Sequence, residues 1–331
     1  MLPIALLSWL LAGCVSAPTP ELTSLVYRVE ASEGRLSVEV QAEGVIPQRW
    51  YLLGESDLRA RAGERSAKVE GGVLELESDR LSYTYSLRKR LEQSQSLEHG
   101  AGNPRSFVVR GDRYLLVPSS GLMSERTRVE LRIKGLEPFL PWACEREGEE
   151  WVARLEANDL RQLGFHAFGA RLRLPLDLGQ GARWEVAVLE GELLASDEAI
   201  TRWIEGAAQE ATRLGGGSPR ERVTIVLAPT PSSEPAPFGR VLYSEPRSAA
   251  IYLGQRAPER SFAGDWLATH ELMHTLHPRF DGHPRWLSEG IAAYYQCLAP
   301  IRSGRERPEE LWRTLARGVA TGQVEALGRS L

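Results

Sequence analysis

The strongest constraint in this chain is the run His270-Glu271-Leu272-Met273-His274, set in a stretch that reads as a helix. Residues four apart share one helical face, so both imidazoles can address one metal ion. Glu271 is turned about 100° from His270, which lets it touch a water on that metal rather than ligate it. After a short turn, Pro284-Arg-Trp-Leu-Ser-Glu-Gly-Ile-Ala-Ala-Tyr-Tyr295 predicts a second helix over Pro284 to about Leu298. Pro284 suits its first position, where a missing N–H costs nothing. Glu289, returning antiparallel on that helix, completes a two-histidine, one-carboxylate set with the fourth tetrahedral position open. An open position is the catalytic form of zinc, because water must bind there. Gly290, Ala292 and Ala293 let the second helix pack close to the first. Ala293 and Gln296 share the Glu289 face, whereas Tyr294 and Tyr295 point away and read as packing residues.

Other ligand sets fit less well. The pattern with a third histidine six residues after His274 meets Phe280 there. Asp281 and His283 sit in a Gly/Pro turn, where a solvated or capping role is expected. His277, near a helix end, reads as a favourable C-terminal charge or a donor behind the ligands. His99 and His166 have no motif around them. Four of the six histidines fall between 270 and 283, which concentrates metal chemistry in that segment.

The rest of the chain divides in two. From Leu22 to about Leu178, short runs such as Leu36-Ser-Val38-Glu-Val40, Val129-Glu-Leu131-Arg-Ile133 and Leu172-Arg-Leu174 alternate with period two between turn residues. Such alternation predicts antiparallel strands with one buried face, and about ten of them suggest a β-sandwich. Arg88 to Gln95 is either a short helix or a charged loop. Beyond Gly179-Gln-Gly181 the pattern becomes mixed. A strand, Trp184 to Leu189, precedes helical spacing over Asp197 to Leu214, with Ser196 as N-cap and Gly215-Gly-Gly217 as stop. Val223 to Ala228 reads as a buried strand, Pro229 to Pro237 as a loop, and Ala249 to Gly254 as an edge strand able to hold an extended peptide. The first motif helix is predicted over Phe262 to about Leu276, and Pro308 to Ala320 as a surface helix. The fold class is therefore α+β, with a β-sandwich-like domain over 22–180 and a mixed domain over 181–331.

The first fourteen residues, MLPIALLSWLLAGC, carry no charged side chain and are too short to span a bilayer, but they suit a signal h-region. Leu11-Ala12-Gly13-Cys14 resembles the bacterial lipobox, which implies lipidation of Cys14, a tether over 15–21 and a place in the cell envelope. A secretory signal cut near Ala17 is the alternative, and both readings export the protein. Export permits a Cys144–Cys297 disulfide, and buried free thiols are equally compatible. The net charge of −4 is spread along 331 residues, so no basic surface argues for nucleic acid.

The run ATHELMHTLHPRFDGHPRWLSEGIAAYY, about residues 267–297, resembles the gluzincin peptidases, most closely the glycyl aminopeptidase family and its bacterial relatives. That resemblance implies a β-domain followed by a thermolysin-like zincin domain, with Zn2+ on His270, His274 and Glu289 and Glu271 as general base. It implies a peptide or protein substrate and leaves aminopeptidase and endopeptidase both open. Relatives supply a downstream Tyr or His to stabilise the oxyanion, and often a helical lobe and a PDZ domain. After Tyr295 this sequence has neither Tyr nor His, and the helical lobe is expected to be truncated. Tyr243, Tyr252 and Arg302 are the remaining candidates for oxyanion donor. The rival reading is a catalytically inactive lipoprotein that keeps the zincin fold for binding or assembly.

Overall fold

The computed structural model describes residues 21–52, 58–93, 96–178, 183–214, 216–217, 222–277, 285–310, 312–313 and 316–317. The signal segment with Cys14, Gly179–Gly181, Pro284 and the alternatives Phe280, Asp281 and His283 lie outside them. The chain is α+β. Among the described residues its α-helices are α1 (Arg88–Gln93), α2 (Asp197–Leu214), α3 (Glu259–Phe262), α4 (Leu267–Leu276) and α5 (Arg285–Arg302), and residues 308–310, 312–313 and 316–317, within the surface helix expected over Pro308 to Ala320, are helical as well.

An eight-stranded sheet receives most of the alternating runs, in the order 144–147, 150–155, 128–135, 22–32, 35–44, 80–86, 59–62 and 65–68. Leu25, Tyr27 and Val29, Val38 and Val40, and Val129, Leu131 and Ile133 turn inward on three adjacent strands. Trp50 and Leu74 of a three-stranded sheet and Phe107 and Phe168 of a four-stranded sheet close that core from the other side. Burying one face of each strand is what period-two alternation encodes. One expectation fails: the sheet is not wholly antiparallel. Leu22–Ser32 and Arg128–Gly135 run parallel, from Ser24↔Arg128 to Ala31↔Gly135. Parallel partners need a long crossover, and the chain fills this one with four further strands of the same sheet and with strands of the covering layers.

The four-stranded sheet is a middle layer. Phe107, Val109 and Phe168 face the first core, whereas Val108, Phe165 and Ala167 face Ala187, Val226, Ala250 and Tyr252 of a five-stranded sheet. Burial on both faces explains why Phe107–Val109 and Phe165–Phe168 read as apolar without alternation.

The five-stranded sheet has the order 172–177, 183–188, 222–230, 247–254 and 239–242. Its central pairs are parallel and its outer pairs antiparallel. Two corrections follow. Leu172–Asp177, expected within the first domain, is the outer strand here, so this sheet begins before Gly179. Ala249 to Gly254, expected at the edge, belongs to the interior strand Arg247–Gly254, and the edge is Gly239–Leu242. All eight residues of 247–254 are buried, as an interior strand requires. On the helical face, Ile200, Trp203, Ile204, Ala207, Ala208 and Ala211 of α2 pack with Val186, Ile225, Ile251, Ala268, Leu272, Met273 and Ala292. Ser196 caps α2, its hydroxyl accepting from Ala199 N–H at 3.3 Å. The long helix expected over Phe262 to Leu276 is broken at Ala263–Trp266 into α3 and α4.

Candidate metal centre

Helix α4 begins where Asp265 accepts from Ala268 N–H at 3.2 Å, while its carboxylate also takes the Trp203 indole N–H of α2 at 3.1 Å. The helix end therefore starts from a fixed point. Ala268, Leu272 and Met273 face the α2 core, which turns His270 and His274 toward α5. Ala292, fully buried, lets α5 lie close.

Three ligand atoms converge between these helices. His270 Nε2 and His274 Nε2 are 3.2 Å apart, and Glu289 Oε2 lies 3.3 Å from the first and 3.4 Å from the second. A tetrahedral zinc with bonds of about 2.0–2.1 Å sets its ligand atoms about 3.3 Å apart. The triangle is one face of that tetrahedron, and these side chains fit a metal. His274 is pushed down to about 4, first by burial and then by the neighbouring His270 charge. It is neutral near pH 7 and offers a lone pair, the form a metal needs.

The outer edges of both rings are held. With Nε2 turned inward, the proton sits on Nδ1 of each. His270 Nδ1–H donates to Gln296 Oε1 at 2.5 Å, two turns beyond Glu289 on the same face of α5. His274 Nδ1–H donates to His277 Nε2 at 3.0 Å, with Ser288 Oγ at 3.3 Å and Tyr243 Oη at 3.4 Å around the same atom. Such partners fix ring orientation and tautomer. His277 is the C-cap of α4, as its expected place at a helix end requires, and its Nε2 is the partner of a ligand ring. Gln296 and Ser288 had a visible signal in their spacing from Glu289, but no motif marked them.

Glu271 is 8% exposed and lies against the edge strand. A Cβ on Gly239 would stand 2.4 Å from Glu271 Cγ and 3.1 Å from its Oε1, so only glycine lets this carboxylate cross the strand. Burial first raises the pKa of the Tyr243 hydroxyl, its bond to Ser288 and the Arg247 charge lower it, and the Glu289 and Glu271 charges raise it further.

The structure separates the oxyanion candidates. Tyr243 reaches the site, but at the Nδ1 edge of His274, behind the three converging atoms. Tyr252 points to the opposite face of the sheet, among Leu97, Ala101 and Val108, and burial pushes its hydroxyl up to about 12. Arg302 ends α5, thirteen residues and roughly 20 Å of helix beyond Glu289. Neither Tyr252 nor Arg302 can serve the centre. Cys144 and Cys297 are free thiols, and burial raises both, Cys144 to about 11. A groove of about 770 Å³ on the outer face of the eight-stranded sheet interleaves Arg28, Arg59 and Arg61 with Glu30 and Glu39, and brings no ligand atoms together.

No known protein family and no curated protein matches the sequence. Among solved structures, an aminopeptidase N family protein from Idiomarina loihiensis superposes with a TM-score of 0.63 at 11% identity, over 87% of this chain and 56% of that one. An M1 zinc metallopeptidase from Deinococcus radiodurans gives 0.41 at 13% identity, over 86% of this chain and 72% of that one, too slight to argue from. At such identity the first match shows a shared fold, and this chain spans little more than half of the longer protein.

Proposed function

We propose that this chain is a zinc peptidase of the gluzincin type, with His270, His274 and Glu289 as ligands and Glu271 as general base. The observation that carries the reading is the triangle with edges of 3.2, 3.3 and 3.4 Å, built from two imidazole nitrogens and one carboxylate oxygen. A zinc ion held there would lower the pKa of a water and polarise a substrate carbonyl.

The side chains supply the rest. Glu271 takes the proton of the attacking water and hands it to the leaving amine nitrogen as the peptide bond breaks. Gly239 keeps that carboxylate in place. Among the described strands, Gly239–Leu242 has one neighbour in its sheet and runs past Glu271, so an extended peptide could pair along its outer side. Gln296 and His277 hold the ligand rings, and Tyr243 and Ser288 pack behind His274. Lipidation at Cys14 would hold the enzyme on a membrane of the cell envelope, with peptides or proteins outside the cytoplasm as substrates.

A zincin-fold protein without turnover is the second reading. It is favoured by one observation: Tyr243, Tyr252 and Arg302 all lie off the open side of the triangle. Hydrolysis of a mixed peptide library by wild type and Glu271→Gln separates the two. The peptidase reading expects turnover by wild type and a loss of at least about a hundredfold in the variant at unchanged zinc content. Wild type that binds zinc and cleaves nothing contradicts it.

A further inference from the structure

Among the described residues, the proposed chemistry leaves one buried carboxylate unused. Glu210 lies on the apolar stripe of α2, 8% exposed, where a charged side chain needs a reason. Its two oxygens are fully engaged. Oε1 accepts from Ser303 Oγ at 2.9 Å and faces Arg305 Nε at 3.1 Å. Oε2 accepts from Arg305 Nη2 at 3.2 Å and from Thr269 Oγ1 at 3.3 Å. The third guanidinium nitrogen, Nη1, donates to Ala263 O at 2.7 Å, just ahead of α4. A two-pronged arginine on a carboxylate is the arrangement that offsets the cost of burying the Glu210 charge, while the Arg305 side chain itself stays 36% exposed.

These partners come from different segments. Thr269 is the residue before His270, and Ser303 directly follows α5. We propose that Glu210 is a positioning residue for the metal centre, clamping the two ligand-bearing helices α4 and α5 in register from their shared support α2. The proposal rests on reading the ligand triangle as a metal site.

The physical argument concerns sliding. A displacement of α5 along its axis moves Gln296 off His270 and Glu289 off both imidazoles at once, because a helix transmits an axial slide along its length. A metal site needs its ligands held within about 0.5 Å. The last turn of α5 contains Pro300, which has no N–H to give the preceding turn, so this end depends on outside fastening. Glu210 supplies that fastening and ties it to the helix turn that carries His270. Trp203, seven residues earlier on the same face of α2, holds the start of α4 through Asp265. Together the two contacts fix α4 at two levels.

The test is zinc affinity by chelator competition, on the whole protein, for wild type, Glu210→Gln, Thr269→Val and Leu131→Ala. Leu131 is buried in the eight-stranded sheet, and its truncation lowers stability without touching α2, α4 or α5. Glu210→Gln should weaken zinc at least about tenfold, the range seen when ligand-supporting groups are lost. Thr269→Val, which removes one hydroxyl at constant shape, should move affinity the same way by less. It serves as the measure if Glu210→Gln does not fold. Leu131→Ala should lower the melting temperature and keep wild-type affinity. Cobalt(II) absorption of the Glu210 variant should also depart from the wild-type tetrahedral spectrum. Glu210→Gln within twofold of wild type, or Leu131→Ala weakening zinc equally, overturns the clamp alone. Wild type that takes no zinc overturns the metal reading and the clamp with it.

Discussion

Two histidines of this chain are held near pKa 4 by burial, in opposite surroundings. His166 lies between two sheets, entirely enclosed, with Tyr114 and Trp142 rings edge-on at 5.6 Å. Its Nδ1 accepts from Tyr114 Oη at 2.7 Å and its Nε2–H donates to Leu163 O at 2.7 Å. Every polar atom of that ring has a partner, and nothing is left to bind. His274 has its Nδ1 held by His277, and its Nε2 faces another Nε2 and a carboxylate oxygen. Three acceptors aimed at one point repel each other unless a cation or proton stands between them. A depressed pKa therefore marks burial, whereas convergence of several acceptor atoms on one point marks a site.

That contrast can be broken first through pH. The unfolded chain protonates His166 near 6.5 and the folded chain only near 4, so between those values the unfolded state binds more protons. Stability should be complete above about pH 6.5 and fall as pH drops toward 4, by on the order of 3 kcal/mol. Urea unfolding of wild type and His166→Gln across pH 7.5 to 4.5 checks this. The variant should lose the His166 share of the slope, and parallel curves would show that His166 already titrates normally when folded.

A smaller effect sharpens the other side. Gln296→Leu removes the acceptor for His270 Nδ1–H while preserving bulk. Zinc affinity should fall about tenfold to a hundredfold, since ring orientation is lost but no ligand is. Zinc titration of the variant measures it. Affinity equal to wild type would mean that Gln296 merely packs.

The two halves of the site were unequally legible in sequence. Helical spacing alone brings His270 and His274 together, and WLSEG places Glu289 five residues after Pro284, within the expected second helix. The edge strand was not legible, because Gly239-Arg-Val-Leu242 is four residues behind a Pro-rich loop with no alternation to announce it. Ala249–Gly254, expected at the edge, carries the opposite signal in its own composition. A continuous apolar run is buried on both faces and belongs inside a sheet. Tyr252 fell on the wrong face for the same reason, since successive strand residues alternate and Ile251 already faces the helices. Helix rise alone removes Arg302. Glu210 left a signal that was missed: it interrupts the apolar stripe of α2 seven residues after Trp203, and a carboxylate there requires donors from elsewhere in the fold. The parallel pairing of Leu22–Ser32 with Arg128–Gly135 had no local signal, because strand partners a hundred residues apart are chosen by the core between them.

The central claim is that this chain holds one zinc on His270, His274 and Glu289, and metal content tests it most directly. Wild type, His274→Ala and His166→Gln are stripped with chelator, supplied with zinc, desalted and assayed by atomic absorption. About one zinc per chain is expected in wild type and in His166→Gln, and none above background in His274→Ala. Zinc retained by His274→Ala, or absent from wild type, would contradict the account.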